Sequence, residues 1–181
     1  MARKQAGQGR GEKNASNTGG GKMIFVSVGT HPQQFDRLLE ELDRLAGEGR
    51  LGNEVFAQTG FSGYKPRNFA WKDFLGMDEF VQKLRGADVF ITHAGEGNIG
   101  LAKGMGKKFI TMPRRAEFGE HTNNHQLELA AVVEQKGLGI VAWNQKGLEA
   151  GLAALENFAP TKVKRGNIPE ILKKFMAGVP A

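Results

Sequence analysis

Apolar residues recur along this chain in short blocks that alternate between two spacings. "KMIFVSV" (22–28) is a compact apolar run, which predicts a buried strand. Phe35, Leu38, Leu39, Leu42 and Leu45 then fall at helical spacing. "EVFAQTG" (54–60) predicts a second strand ending in a glycine turn. "FAWKDF" (69–74) predicts a short third strand, after a loop holding Gly63 and Pro66. Asp78 is placed to cap a helix running to Arg85. "DVFITH" (88–93) predicts a fourth strand with a helix after Asn98, and "KKFITM" (107–112) a fifth. A helix over 122–136 and a sixth strand, "LGIVAW" (138–143), follow, with further helices near 146–157 and 168–177.

Strands alternating with helices through short glycine-rich loops predict an α/β fold, a Rossmann-like parallel sheet covered on both faces. Such sheets bind ligands beyond the carboxyl ends of their strands. The unusual polar groups collect there: Gly29, Thr30 and His31; Gln58, Thr59 and Gly60; His93 to Asn98; and Pro113 to Gln126.

Composition narrows the class. The chain has 181 residues, with 40% hydrophobic and 24% charged residues, enough for one domain with a full core. No apolar run approaches the ~20 residues that span a bilayer. Without cysteine, the chain has no disulfide, thiolate nucleophile or cysteine-held metal. A cytoplasmic location fits these features. The net charge of +6 is uneven: residues 1–22 carry Arg3, Lys4, Arg10, Lys13 and Lys22 against Glu12, so four of the six charges sit there. That Gly-, Asn- and Gln-rich segment predicts a disordered basic tail ahead of a single domain over 23–181. Weak attraction to an anionic membrane or RNA is one use for it. A solubilising extension is the favoured one, and no nucleic-acid partner is expected.

The sharpest local pattern is "ITHAGEGNIGLAKGMGKKFITMPRR" (91–115), in which Gly95, Gly97 and Gly100 spell G-x-G-x-x-G between a strand and a helix. A helix N-terminus carries unpaired N–H groups and a partial positive charge, so it attracts anions. Glycines there let a phosphate approach the backbone. An NADP-dependent reductase is a rival reading, with Arg114 or Arg115 meeting a 2′-phosphate. Against it, the motif follows the fourth strand here, not the first strand of a nucleotide-binding half, and the other strand-end clusters stay unexplained.

Those clusters, "VSVGTHPQQFDRLLEELD", "AQTG", "DFLGMDEFVQKLRGADVFITHAGEGNIG" and "EFGEHTNNHQLELA", together resemble one family over residues 23 to about 143. The chain is similar to the donor-binding subunit of split family 28 glycosyltransferases. These include bacterial exopolysaccharide and capsule transferase subunits and the small subunit of the eukaryotic transferase of dolichol-linked oligosaccharide synthesis. The resemblance implies the carboxyl-terminal half of a GT-B enzyme: an inverting, UDP-sugar-dependent hexosyltransferase. Its amino-terminal half would lie on a membrane-associated partner that recruits it to the membrane face, with a lipid-linked sugar as acceptor. No cofactor is implied, the UDP-sugar being a substrate. A non-catalytic UDP-sugar-binding or scaffold subunit is the other reading.

Roles follow from the resemblance. His93, Ala94, Gly95, Glu96, Gly97 and Asn98 would receive the diphosphate. Gly29 and Thr30 would face the same cleft, and Gln58, Thr59 and Gly60 would lie near the nucleotide or the subunit seam. Phe74 and Leu75 would hold uracil, largely by backbone. Glu120, His121, His125 and Gln126 would reach the donor sugar or diphosphate, and Arg114 and Arg115 would neutralise its charge. Asn123 and Asn124 read equally well as helix caps. Many relatives carry an acidic ribose-binding residue where this chain has Leu101; Glu96 is one replacement. His31 is the one local candidate for the base that takes the acceptor's proton, a group that two-domain relatives usually supply from the other half. His121 and His125 lie four apart, but no third ligand or H-E-x-x-H accompanies them, so no metal site is expected. Ile168, Ile171, Leu172, Phe175 and Met176 share a helical face, to pack on the domain or dock the partner.

Overall fold

The computed structural model describes residues 22–51 and 54–161. The chain runs β1 (Ile24–Ser27), α1 (Asp36–Gly47), β2 (Val55–Gln58), β3 (Ala70–Lys72), α2 (Met77–Gly86), β4 (Val89–His93), α3 (Glu96–Gly104), β5 (Lys108–Met112), a 3-10 turn (Ala116–Phe118), α4 (His125–Gln135), β6 (Ile140–Val141) and α5 (Gln145–Ala154). All strands are parallel, in the order β3-β2-β1-β4-β5-β6. This is the Rossmann-like sheet expected from the alternation. The expected helix at 168–177 and tail residues 1–21 lie outside the described residues.

The strand pleat sorts side chains to two faces. Ile24, Val26, Ile91, Ile110 and Met112 join Leu38, Leu39, Leu42 and Leu45 of α1 and Leu148 of α5 in one core cluster. Phe25, Phe90 and Phe109 meet Phe80 and Leu84 of α2, Ile99 and Ala102 of α3, and Ala130 and Val133 of α4 in the other. The four α1 leucines are 0–1% exposed. Burying each contributes about 1.5–3 kcal/mol before entropy is counted. This double coverage is why the strands read as apolar runs instead of alternating patterns.

Several boundaries move. The third and sixth strands have three and two residues, because they lie at the sheet edges. Asp78 does not cap α2: Gly76 holds that position, and Asp78 lies in the first turn. The helix expected after Asn98 starts at Glu96. One buried carboxylate organises the loop before β3. Asp43 accepts hydrogen bonds from Tyr64 Oη, Arg67 N and Asn68 N. Burial alone would raise its pKa; these bonds outweigh that and hold it below the usual value.

The strand order reverses between β1 and β4. The chain after β1 and the chain after β4 therefore diverge to opposite faces and leave a crevice at the carboxyl rim.

Candidate functional site

The crevice is built on His93, the last residue of β4. Its half-buried imidazole lies between two glycines. A Cβ on Gly29 would sit 2.5 Å from its Cε1, and one on Gly95 2.2 Å from its Nε2. Gly29 also has φ +81°, which disfavours any side chain. These two glycines thus make room for the ring. Gly97 is different: a Cβ there meets nothing within 4 Å. It lies in the first turn of α3, whose N-cap, Gly95, supplies no side-chain cap. The first amides of that helix, at Glu96, Gly97 and Asn98, have no intrahelical acceptor. Ala94 is buried in the core behind them, and the Glu96 side chain is exposed.

Beneath the turn lies a small polar network. Thr92 Oγ1 donates to the Ser27 carbonyl (2.9 Å). Asn98 Nδ2 donates to Thr92 Oγ1 (2.8 Å) and Ser27 Oγ (3.2 Å). His93 Nδ1 lies 3.3 Å from Thr92 Oγ1. Asn98 therefore ties α3 to β1 and β4 instead of capping the helix. Ser27 and Thr92 had no place in the sequence-based site. Their signal was a hydroxyl inside a run otherwise meant for burial, which needs a partner.

The wall opposite is held by Arg114, which has no exposed surface. Its Nη1 donates to the carbonyls of Gln33, Gln34 and Glu120, and its Nη2 to that of Val28. Its guanidinium lies 5.0 Å over the Phe35 ring. Burial pushes its pKa down to about 10, so it stays charged at neutral pH. Arg114 thus buttresses the loops after β1 and β5 instead of presenting its charge at the surface. Arg37 pairs with the buried Glu120 through Nε and Nη2, both at 2.9 Å, and Glu120 also accepts from Arg115 N. Arg115 is half-buried and tied to Glu117 and the Trp143 carbonyl. His31 stacks on His121 with ring centroids 4.4 Å apart. Burial first, then His121 and Arg114, lower the His31 pKa. His31 Nδ1, Gln33 Oε1, Arg114 Nε and Arg115 Nε are buried without partners among the described residues. All four sit on these same two loops, and a fifth such atom, Thr111 Oγ1, lies within β5. Buried polar groups left without partners call for an explanation, which a ligand at this rim would supply.

The remaining candidates divide. Gln126 is buried, its Oε1 accepting from Arg114 N. His125 points outward, with its Nδ1 3.1 Å from Glu128 Oε2. Asn123 caps the His125 amide, while Asn124, the α4 N-cap position, accepts from Ala116 N. Thr30 is exposed beside the crevice. Gln58 bridges Gly29 O and Leu75 N, so it joins the loops after β1 and β3. Thr59 bonds to Asp73, and Gly60, at φ +54°, passes so close that a Cβ would lie 2.7 Å from Gly29 O. Phe74 is 43% exposed and packs edge-on against Phe61, 56% exposed, 5.0 Å away. Leu101 packs against the second core cluster. Among the described residues, no group of three His, Cys, Asp or Glu side chains could hold a metal. None of the described helices is long and apolar enough to cross a membrane.

No curated protein matches the sequence significantly. Solved structures share the fold. The ALG13 solution structure is 19% identical with TM-score 0.57, covering 85% of this chain and 94% of that one. The glycotransferase of kitacinnamycin is 20% identical with TM-score 0.56, covering 93% of this chain but 43% of that one. CalG4, the calicheamicin glycosyltransferase, is 17% identical with TM-score 0.56, covering 87% and 43%. This chain therefore spans less than half of those two enzymes and nearly all of ALG13. Residues 23–175 match the family model of the glycosyltransferase family 28 C-terminal domain, and the chain belongs to that family.

Proposed function

We propose that this chain is the UDP-sugar-binding half of a split, inverting glycosyltransferase. It would work with a membrane-associated partner that supplies the amino-terminal half and act on a lipid-linked acceptor. The observation that carries the reading is the uncapped start of α3 at the switch point, where Gly97 leaves the amides open to a diphosphate. Its aligned peptide dipoles would stabilise the negative charge that develops on the leaving UDP. His93 beside it, and Gln126 and Thr30 on neighbouring loops, are the side chains we assign to the same ligand. Phe74 and Leu75 at the far edge are assigned to the uracil. His31 is the local candidate for the acceptor's base, although its ring is already engaged with His121.

The two-subunit reading rests on the resemblance to split family 28 transferases set out above. Exposed Phe61, Phe74, Met77 and Phe118 all follow carboxyl ends of strands or lie on the loop after β5, where a second half would have to close over a donor. Residues 167–181 are a second candidate docking element. The non-catalytic reading is favoured by one observation, that Leu101 is spent on core packing where many relatives hold ribose.

The test is a thermal-shift panel of UDP-sugars and NADP(H), followed by transfer assays with and without the partner. We expect stabilisation by UDP-sugars, none by NADP(H), and turnover only in the reconstituted pair. Binding without turnover in that pair supports the scaffold reading, and stabilisation by NADP(H) alone overturns both. Unchanged partner capture after deleting 167–181 removes that segment as the dock.

A further inference from the structure

The network under the glycine turn favours one position for the proton of His93. Thr92 Oγ1 has one hydrogen and two lone pairs. Its hydrogen goes to the Ser27 carbonyl, which can only accept. Asn98 Nδ2 fills one lone pair. If the Asn98 amide were turned over, its oxygen would face a hydroxyl whose hydrogen is already used. The contact from His93 Nδ1 to Thr92 Oγ1 therefore has one favourable form, with Nδ1–H donating. In the neutral ring, Nε2 is then a bare acceptor. That nitrogen lies against Gly95, beside the first amides of α3, and has no protein donor among the described residues.

A bare nitrogen repels a phosphate oxygen, since both present lone pairs. We infer that His93 rests as the Nδ1–H tautomer and takes one proton from solvent onto Nε2 when an anionic diphosphate binds, becoming an imidazolium that donates to a phosphate oxygen. The inference rests on the proposed donor site and adds a proton to it. No covalent bond changes: solvent supplies the proton, and the imidazolium keeps it while the ligand stays.

The surroundings make the proton conditional on the ligand. Burial of the ring, then the Arg114 charge, and more weakly His121 and His31, push the free imidazole down to about 3, against one favourable hydrogen bond to the Ser27 main chain. The exposed Glu96 on the first turn of α3 is the acidic group closest in sequence, and Glu120 is paired with Arg37. A diphosphate would oppose this balance by placing negative charge beside the ring, so proton uptake should be largest at the acidic end of the range tested. By contrast, His121 Nδ1 accepts from Asn123 N, so that neutral ring holds its proton on Nε2 and needs none to donate.

The experiment uses the full chain, labelled with 15N-histidine, and UDP-N-acetylglucosamine, whose diphosphate does not titrate near neutral pH. In the free protein, the ring nitrogens of His93 should show the Nδ1–H pattern, unchanged down to about pH 5.5. Adding ligand should convert them to the imidazolium pattern. Calorimetry in two buffers of different ionisation enthalpy should show net proton uptake, and affinity should fall up to about tenfold per pH unit as pH rises. Uptake should vanish in His93→Asn and persist in Thr92→Ser. An Nε2–H pattern in the free protein overturns the inference, as does binding without uptake at any pH from about 5.5 to 7.5. Either result leaves the nucleotide reading standing. Failure of this ligand, UDP-glucose and UDP to bind ends both.

Discussion

At Gly95 and Gly97, two glycines of one motif do different work. Gly95 clears space for the His93 ring, whereas Gly97 faces an open position. The difference is testable. Gly95→Ala drives a methyl into the imidazole and should cost about 1–3 kcal/mol of stability, as overpacking does. Gly97→Ala should be neutral or stabilising by up to about 1 kcal/mol, because alanine is the better helix former. It should nonetheless weaken UDP-sugar binding if the amides of that turn hold the diphosphate. Urea unfolding paired with ligand titration checks both, and a Gly97→Ala protein with unchanged affinity would count against the proposed site. The sequence pattern alone treats these glycines alike, since spacing does not say what a missing side chain would meet.

The elements are joined at the rim by Arg114. Four carbonyls from β1's end and the two flanking loops converge on one guanidinium. Arg114→Met would leave those acceptors without their donor and should cost on the order of 3–5 kcal/mol, as loss of one partner in a buried charged network does. Arg114→Lys keeps the charge but loses the planar fork, so it should fall between Met and the native residue. Chemical denaturation of the three proteins gives the order directly, and a lysine variant as stable as the native one would show that charge alone suffices. From sequence, "PRR" reads as two basic residues near an anionic ligand. Nothing local marks Arg114 as the one that points inward, because its acceptors lie up to 86 residues away in the chain.

For the whole molecule, the imidazoles impose a pH dependence on folding. His93 has an ordinary pKa of 6.5 and is pushed down to about 3, chiefly by burial. The unfolded chain therefore binds the proton first as pH falls. The stability held above pH 6.5 is lost progressively between there and 3. At pH 5 the loss is about 2 kcal/mol relative to pH 7.5. His31, also lowered, acts in the same direction. Urea midpoints at the two pH values should show this loss, and His93→Gln should remove most of it. A ligand that protonates the ring would narrow the difference, so the stability curve and the binding curve report on one group.

The apolar runs by themselves determined the α/β class and the doubly covered sheet, because burial on both faces needs unbroken hydrophobicity and marks the central strands β1, β4 and β5, while the half-exposed edge strands β3 and β6 were legible only as shorter runs between turns. The glycine turn and the polar rim were legible for the same reason: polar residues at strand ends stand out against such runs. Tertiary structure alone decided which of them meet. It turned Arg114, Gln58 and Glu120 inward as buttresses, left His125 outside, and joined Ser27 and Thr92 in the network beneath the glycine turn. Hydrogen bonds between loops far apart in the chain have no periodicity for a sequence to display, and the side-chain directions on which the chemistry depends are set by those bonds.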